Sequence, residues 1–441
     1  MGFFNLSSSK VAVFTNDEVY TYNDLKNLPF NSEEKNIILI LCENTIDIIS
    51  EYVTAMNSEH AVMLLSKELS FELLKITVDK YKPKWIVGLN EFDGYITVGK
   101  RLVREKNIPI EIHPNLALLL STSGTTGSQK FVRLSYDNLK SNAFSIQQYL
   151  NINSEDRAMV NLPISYSYGM SLVNSHLLTG ASIVITNESV MEKTFWDLMK
   201  KRNVTSFAGV PFTYQILQRI GFVNMNLPDL KTLTQAGGRL SEKLVKYFAE
   251  YAKKKNKKFY VMYGQTEASP RISFIPHDQV KNKYNSIGIA IPGGKLEIKN
   301  EELVYFGANV MLGYADCLKD LKKGDELQGV LYTGDTAEVD EDGYFTITGR
   351  LKRFIKLFGL RINLDEVERK LEQQVSTAIA CTGNDDRLIV AIEDDQYLNE
   401  VSEFLREIYH LHKSSYKVKI LTLPRFTNGK IDYVKLKEMC L

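Results

Sequence analysis

The chain has 441 residues, 44% of them hydrophobic and 24% charged, and its 54 basic and 53 acidic residues leave a formal net charge of +1. That length is too great for one ordinary core and predicts two or more domains, and the composition is typical of a soluble globular protein. The balanced charge gives no support for a nucleic-acid partner, and the lysine-rich stretch 253–258 reads as the solvated end of a helix. Cys42, Cys317, Cys381 and Cys440 lie far apart with no CxxC pair, so no metal or disulfide framework is expected, and a reducing, cytoplasmic compartment fits. No apolar run approaches the ~18 residues of a membrane span. The N-terminus, Met1-Gly2-Phe3-Phe4-Asn5-Leu6, shows neither a signal-peptide pattern nor the hydroxyl residue that myristoylation needs.

In chain order, Val11–Phe14 and Val19–Tyr22 flank Asn16-Asp17 and predict a β-hairpin. Ile37–Cys42 is a continuous apolar run, as in a strand buried on both faces. A helix over 44–57, a strand at Ala61–Leu65, a helix over 70–81 and a strand at Lys84–Val87 follow. This alternation predicts a parallel, right-handed α/β layer.

The apolar Leu116–Leu120 then leads into Ser121-Thr122-Ser123-Gly124-Thr125-Thr126-Gly127-Ser128-Gln129-Lys130, and Phe131–Leu134 again looks like a strand. The glycines let backbone come close to a ligand, and successive amides, hydroxyls and the lysine can surround an anion. A triphosphatase P-loop would place Ser or Thr after the lysine and open a helix. Here Gln129 precedes Lys130 and Phe131 follows it, so this is a different phosphate loop.

The alternation resumes with strands at Ala158–Leu162, Ser182–Ile185, Thr205–Ala208, Thr232–Gln235 and Phe259–Met262. Helices are expected around 136–150, 170–178, 191–202, 212–220 and 241–255. Ligands of such sheets collect beyond the carboxyl ends of the strands. Ala236-Gly237-Gly238 and Tyr263-Gly264-Gln265-Thr266-Glu267 are therefore placed to share one crevice with the loop at 121–130. From about residue 285, short strands at Lys295–Ile298, Leu303–Tyr305, Gly329–Tyr332 and Tyr344–Thr348 predict a smaller β subdomain. Residues 353–441 read as a compact α+β domain, with helices over 364–373 and 397–411 and at the C-terminus.

Further stretches point one way. Tyr332-Thr333-Gly334-Asp335 puts a carboxylate at a predicted strand end, suited to paired ribose hydroxyls. Arg350 opens the domain junction, and Thr427-Asn428-Gly429-Lys430-Ile431-Asp432 carries a lysine on a glycine turn. Glu267 suits Mg²⁺, which prefers oxygen donors and shares them with phosphates. In type, order and spacing, the motifs at 121–130, 263–267, 332–335, 349–359 and 427–431 resemble the adenylate-forming superfamily of acyl-CoA synthetases, non-ribosomal peptide synthetase adenylation domains and luciferases. The resemblance runs from Tyr20 to Lys430, nearly the whole chain.

The resemblance implies an α/β fold: a large N-terminal domain of parallel-rich layers (1–349), a hinge (350–353, with Lys352 at its centre) and a small mobile α+β C-terminal domain (354–441). It implies an enzyme that activates a small carboxylic acid as acyl-AMP using MgATP and transfers the acyl group to a thiol of coenzyme A or a carrier protein's phosphopantetheine. An amine acceptor is the alternative. Thr122, Ser123, Gly124, Thr125, Thr126, Gly127 and Lys130 would hold the β- and γ-phosphates, Thr266 the α-phosphate and Glu267 the Mg²⁺. Tyr263, Gly237, Gly238 and Gly264 would border the adenine, Asp335 would take the ribose hydroxyls with support from Arg350, and Lys430 would bridge the acid and the α-phosphate. Gly359 and Arg361 would line the thiol tunnel, and Tyr166, Tyr168, Phe207, Val210 and Phe212 the acid pocket.

Two departures stand out. Tyr166 falls where many acyl-CoA synthetases carry a His, and Arg353 where an Asp is common after the hinge. No acidic residue lies between 157 and 187, which disfavours an α-amino acid, because its ammonium would be buried without a partner.

Overall fold

The computed structural model describes residues 2–121, 130–351, 353–357, 360–384, 386–408, 411–412, 414–426 and 429–441. The expectations for Thr122, Ser123, Gly124, Thr125, Thr126, Gly127, Lys352, Gly359 and the Arg361 side chain fall outside what it describes.

Two large sheets build the N-terminal domain. One has a parallel centre of Leu116–Ser121, Ala61–Ser66, Ile37–Cys42 and Trp85–Val87. Ile37–Cys42 explains its own apolar run. Ile38, Ile40 and Cys42 enter one hydrophobic cluster, whereas Ile37, Leu39 and Leu41 enter another on the opposite face. A strand covered on both sides has no polar face to keep.

The second sheet has a parallel centre of Lys258–Tyr263, Thr232–Gln235, Ser206–Gly209, Arg157–Val160 and Ser182–Ile185. Helices Ile46–Met56, Tyr136–Leu150 and Ser167–Thr179 contribute their buried residues to the cluster that also takes Ile38 and Val62 from the first sheet and Val160 and Ile183 from the second. They lie between the two sheets, and every residue from Ser167 to Leu177 is buried.

The N-terminal hairpin forms as expected, but Val11–Phe14 pairs with Ser182–Ile185 and so joins the second sheet, not the first. Simple alternation also fails after Leu116–Ser121. Phe131–Ser135 runs antiparallel to Leu116–Ser121 and pairs with Gly313–Ala315 on its other side. The hairpin of Tyr95–Val98 and Arg101–Arg104, absent from the sequence reading, extends the opposite edge.

The β subdomain is an antiparallel sheet of Lys295–Lys299, Glu302–Phe306, Val330–Val339 and Phe345–Arg350. One expectation is corrected here. Val330–Val339 continues well beyond Tyr332, so Asp335 sits within a strand and faces Arg350 across the ladder, not at a strand end. Gly334, at φ 76°, turns the backbone locally. The Glu302 carboxylate accepts its N–H at 2.8 Å, which leaves no orphan donor, and pairing resumes.

The small domain has its own cores. The hydrophobic clusters around Val367 and Val390, and around Ala391 and Leu436, draw only on residues after 354. Arg353 anchors this domain: it pairs with Asp365, bonds Glu368 at 2.8 Å and the Cys381 carbonyl at 2.9 Å, and stacks 3.8 Å from the Tyr433 ring. Arg239 reaches Glu372 at 3.1 Å and Lys243 reaches Ser376 at 2.8 Å, tying the domains together. Among the described residues no helix is long and apolar enough to cross a membrane.

Arg133 is the most demanding group in the fold. Its side chain is fully buried in the strand Phe131–Ser135. It donates to the carbonyls of Leu312 (3.2 Å), Tyr314 (3.1 Å) and Gly324 (3.3 Å), to that of Lys323, and to the Glu326 carboxylate. Removing it would leave several carbonyls without donors. Arg133→Met should therefore lower the unfolding free energy by roughly 3 kcal/mol or more. Chemical denaturation measures this, and a loss under about 1 kcal/mol would contradict the assignment.

Candidate functional site

Parallel strands of the second sheet deliver three loops to one side. The register aligns Gly209, Gln235 and Val261 across Ser206–Gly209, Thr232–Gln235 and Lys258–Tyr263. Their carboxyl ends therefore present Val210–Phe212, Ala236–Gly238 and Gly264–Glu267 together. Close packing selects the glycines. A Cβ at Gly237 would come within 2.2 Å of the Tyr166 hydroxyl oxygen, and one at Gly264 within 1.8 Å of the Pro270 carbonyl oxygen. Gly238 lies against Pro211.

Gly264 leads into the single turn Thr266–Ala268. Thr266 Oγ1 lies 3.2 Å from Ser167 Oγ, at the first residue of the buried helix. Glu267 accepts the Tyr314 hydroxyl at 2.8 Å, and its carbonyl accepts the Met311 N–H at 2.9 Å. Tyr314 is held by the Arg133 bond to its carbonyl. Lys130 Nζ stands 5.8 Å from the Tyr314 ring centre and 3.6 Å from Asp316. Lys130, Tyr314, Glu267 and Thr266 thus form one continuous wall, half of it charged.

The opposite wall holds Tyr263, Asp335 and Arg350. Tyr263 donates its hydroxyl to Asp335 Oδ2 at 2.5 Å, and Arg350 Nε lies 3.3 Å from Oδ1. The Asp335 side chain is 13% exposed. Burial pushes its carboxyl up from the usual range, and the Arg350 charge and the Tyr263 hydroxyl work against that rise. The Tyr263 hydroxyl is pushed well up by burial and the adjacent Asp335 charge, so it stays a donor.

Lys430 completes the crevice from the small domain. Its ammonium nitrogen lies 5.4 Å from the Tyr166 ring centre. A Cβ at the neighbouring Gly429 would lie 3.1 Å from Val210 and 3.2 Å from Phe212, and Arg425 stacks 5.0 Å from the Phe212 ring. Burial lowers the Lys430 pKa, the Arg350 charge lowers it further, and Glu267 opposes both. Lys430, Arg350 and Glu267 therefore act on one another although they are distant in sequence.

Of the expected acid-pocket residues, Tyr166, Val210 and Phe212 gather beside Gly429 and Gly237. Phe207 does not: it is 1% exposed and packs against Phe195 and Trp196 on the other face of the sheet. Tyr168 is equally buried, with its hydroxyl bonded to Thr234. Both are core residues: Phe207 lies on the sheet face that packs against Phe195 and Trp196, and Tyr168, two positions after Tyr166 on the helix, turns its hydroxyl onto Thr234. Burial pushes the Tyr166 hydroxyl up to about 12.

Tyr314, Arg133 and Ser167 were missed. Nothing in Gly313-Tyr314-Ala315 marks it locally, and its role arises only from strand pairing with Phe131–Ser135. Three buried polar atoms near these strand ends, Asn161 Oδ1, Gln235 Oε1 and Gln265 Nε2, have no hydrogen-bond partner among the described residues. Such orphans fit a site completed by a polar ligand or water. Among the described residues no cluster of three or more His, Cys, Asp or Glu could hold a metal. A single carboxylate, Glu267, suits Mg²⁺ bound chiefly through phosphates and water.

The model of the AMP-binding enzyme family matches residues 34–315 of this chain. A putative acyl-CoA synthetase YngI from Bacillus subtilis (strain 168) is 29% identical over 350 residues, covering 74% of this chain and 63% of that protein. A probable 4-coumarate–CoA ligase 2 from Dictyostelium discoideum is 28% identical over 383 residues, covering 79% and 68%. The chain thus spans about two thirds of the length of these relatives. Among solved structures, o-succinylbenzoate coenzyme A synthetase (MenE) from Bacillus subtilis with AMP superposes at TM-score 0.79 with 20% identity, covering 97% of this chain and 95% of that one. ATP-bound MatB from Rhodopseudomonas palustris superposes at TM-score 0.78 with 20% identity, covering 100% and 99%. The fold is theirs, and the family match extends over more than half of the sequence: this chain belongs to the AMP-binding enzyme family.

Proposed function

We propose that this chain is an ATP-dependent acid–thiol ligase. A carboxylate oxygen attacks the α-phosphate of ATP, the bond to pyrophosphate breaks, and a thiol then displaces AMP from the acyl carbon. The observation that carries this reading is the convergence of Lys430, Glu267, Asp335 and Tyr166 on one crevice from two domains.

The first step joins two anions, so positioning and charge neutralisation dominate its barrier. Lys430 bridges the acid and the α-phosphate, and Thr266 donates its hydroxyl there. Lys130, with residues 122–127, holds the β- and γ-phosphates. Glu267 would hold Mg²⁺, which supplies charge neutralisation at the phosphates. Asp335 takes the ribose hydroxyls, with Arg350 keeping it ionised against burial. The adenine lies between Tyr263 and the flat backbone of Gly237-Gly238.

In this reading the chain divides into 1–349, a hinge at 350–353 with Lys352, and 354–441. Arg353 is bound to Asp365, Glu368 and Tyr433, so it travels with the small domain. Rotation brings Gly359 and Arg361 to the thiol. The named relatives are coenzyme A ligases, so coenzyme A is the proposed acceptor. A carrier protein's phosphopantetheine presents the same thiol and is the alternative. The acid lacks an α-ammonium: no acidic residue lies between 157 and 187, and the Arg271 guanidinium stacks 4.2 Å from Tyr168 beside Tyr166. The four cysteines, all unpaired, fit the cytoplasm.

Incubation with MgATP and a panel of carboxylic acids should yield acyl-AMP by mass spectrometry, and thioester once coenzyme A is added. No adenylate from any acid would overturn the reading; adenylate without thioester would move the acceptor to a carrier-borne thiol or an amine. Lys430→Ala should slow adenylate formation by about 10²–10³ while sparing thioester formation from supplied acyl-adenylate. Because burial lowers the Lys430 pKa, the adenylation half-reaction should lose rate as pH rises through a value below that of a free lysine. The same alkaline limb should be missing from the Lys430→Ala variant. Asp335→Asn should raise the KM for ATP about 10- to 100-fold and leave the KM for the acid nearly unchanged, as steady-state kinetics with each substrate varied would show.

A further inference from the structure

The turn that carries Lys430 is closed by backbone bonds. Arg425 and Ile431 face each other as an antiparallel pair, the Phe426 N–H donates to the Lys430 carbonyl at 2.8 Å, and the Asp432 N–H donates to the Pro424 carbonyl at 2.8 Å. Its base is fixed as well. Leu423 is buried in the small domain, and the Asp432 carboxylate caps the final helix, Tyr433–Cys440, by accepting the Val434 and Lys435 N–H groups. A turn bonded in this way moves as one piece, so whatever seats it against the large domain also aims Lys430.

Two contacts seat it. Gly429, at φ 78°, rests on the start of the helix Pro211–Arg219, where a Cβ would lie 3.1 Å from Val210 and 3.2 Å from Phe212. That contact limits how near the turn can come, but a glycine has no side chain with which to hold its orientation. Arg425 supplies the second contact. Its guanidinium lies 5.0 Å from the Phe212 ring centre, within reach of cation–π attraction. Its side chain is 18% exposed and pairs with Glu393 of its own domain at 3.7 Å. Glu393 also accepts the Leu423 N–H at 3.0 Å, so it is tied to the base of the same turn. Arg425 thus runs from an anchored carboxylate in the small domain to an aromatic face in the large one. Lys430, on the opposite side of the turn, meets the Tyr166 ring at 5.4 Å.

We infer that Arg425 is a positioning residue for adenylation: stacked on Phe212, it seats the turn so that Lys430 reaches the acid and the α-phosphate. This inference rests on the ligase reading of the crevice. Arg425 acts through Lys430, and Phe212 serves as the platform for its guanidinium. A misplacement of Lys430 by about 1 Å is enough to slow a step governed by positioning. The thiol step, which does not use Lys430, is indifferent to the seat.

The test follows the two half-reactions separately in the full chain. Arg425→Ala should slow acyl-AMP formation at saturating acid and ATP by about 3- to 30-fold, leave the KM for the acid nearly unchanged, and spare thioester formation from supplied acyl-adenylate. Arg425→Lys keeps a cation that can lie over the ring and should recover most of the loss. Phe212→Leu should slow acyl-AMP formation to a similar degree, and combining it with Arg425→Ala should cost no more than the larger single change. In a Lys430→Ala background, Arg425→Ala should cost nothing further. Equal loss in both half-reactions, additive losses in the double variant, or a further loss without Lys430 would each overturn the positioning role. So would a Phe212→Leu variant that raised the KM for the acid without slowing adenylation at saturation, since the ring would then serve the acid. Competitive labelling of lysines with acetic anhydride, read peptide by peptide, judges the seat without turnover: Lys430 should label faster in Arg425→Ala than in the wild type. Unchanged labelling would overturn the seat even with the ligase reading intact, whereas faster labelling with no adenylate from any acid would sink the ligase reading alone.

Discussion

A guanidinium with no exposed surface must have its donors satisfied, because an unpaired buried charge is among the costliest features a fold can carry. Arg133 meets that constraint by drawing residues 312–326 against the strand Phe131–Ser135. Much of the site follows. The drawn segment supplies Tyr314, whose hydroxyl holds Glu267, and places its ring beside Lys130. The cation that organises this wall never touches the crevice. It acts through backbone carbonyls, which cannot rearrange without leaving its N–H groups unmatched.

The small domain meets the large one through contacts of two kinds. Arg239–Glu372 and Lys243–Ser376 are partly exposed, and such pairs contribute little to stability. The approach of Lys430 to Tyr166 lies at the crevice itself. Arg353 is committed to the interior of the small domain through Asp365, Glu368 and Tyr433.

Local pattern exposed much of the architecture. Ile37–Cys42 reads as a doubly covered strand because both of its faces are apolar, whereas the packing of Gly237 against Tyr166 and of Gly264 against Pro270 emerges only from the fold. Asp335 was recognisable as a carboxylate in a Tyr-Thr-Gly-Asp stretch, yet its place inside a strand was not. Whether Val330–Val339 continues through Gly334 depends on Glu302, which lies on a neighbouring strand and accepts the Gly334 N–H. Phe207 and Tyr168 look like pocket residues by position, and only packing shows that Phe207 faces the core beyond the second sheet and that Tyr168 is buried with its hydroxyl on Thr234.

By itself the sequence determined the α/β class, the order of the elements, the loops at the strand ends and the residue types able to hold phosphate, ribose and carboxylate. Those properties follow from short-range periodicity, glycine placement and side-chain chemistry. The tertiary structure alone decided that Tyr314 meets Glu267, that Arg133 binds the segment carrying Tyr314, that Lys430 reaches Tyr166, and that the Tyr168 hydroxyl is buried against Thr234. Each of these is a contact between residues far apart in the chain or a consequence of packing on a buried face, and it exists only once close packing and the need to satisfy buried charge have chosen one arrangement of the sheets.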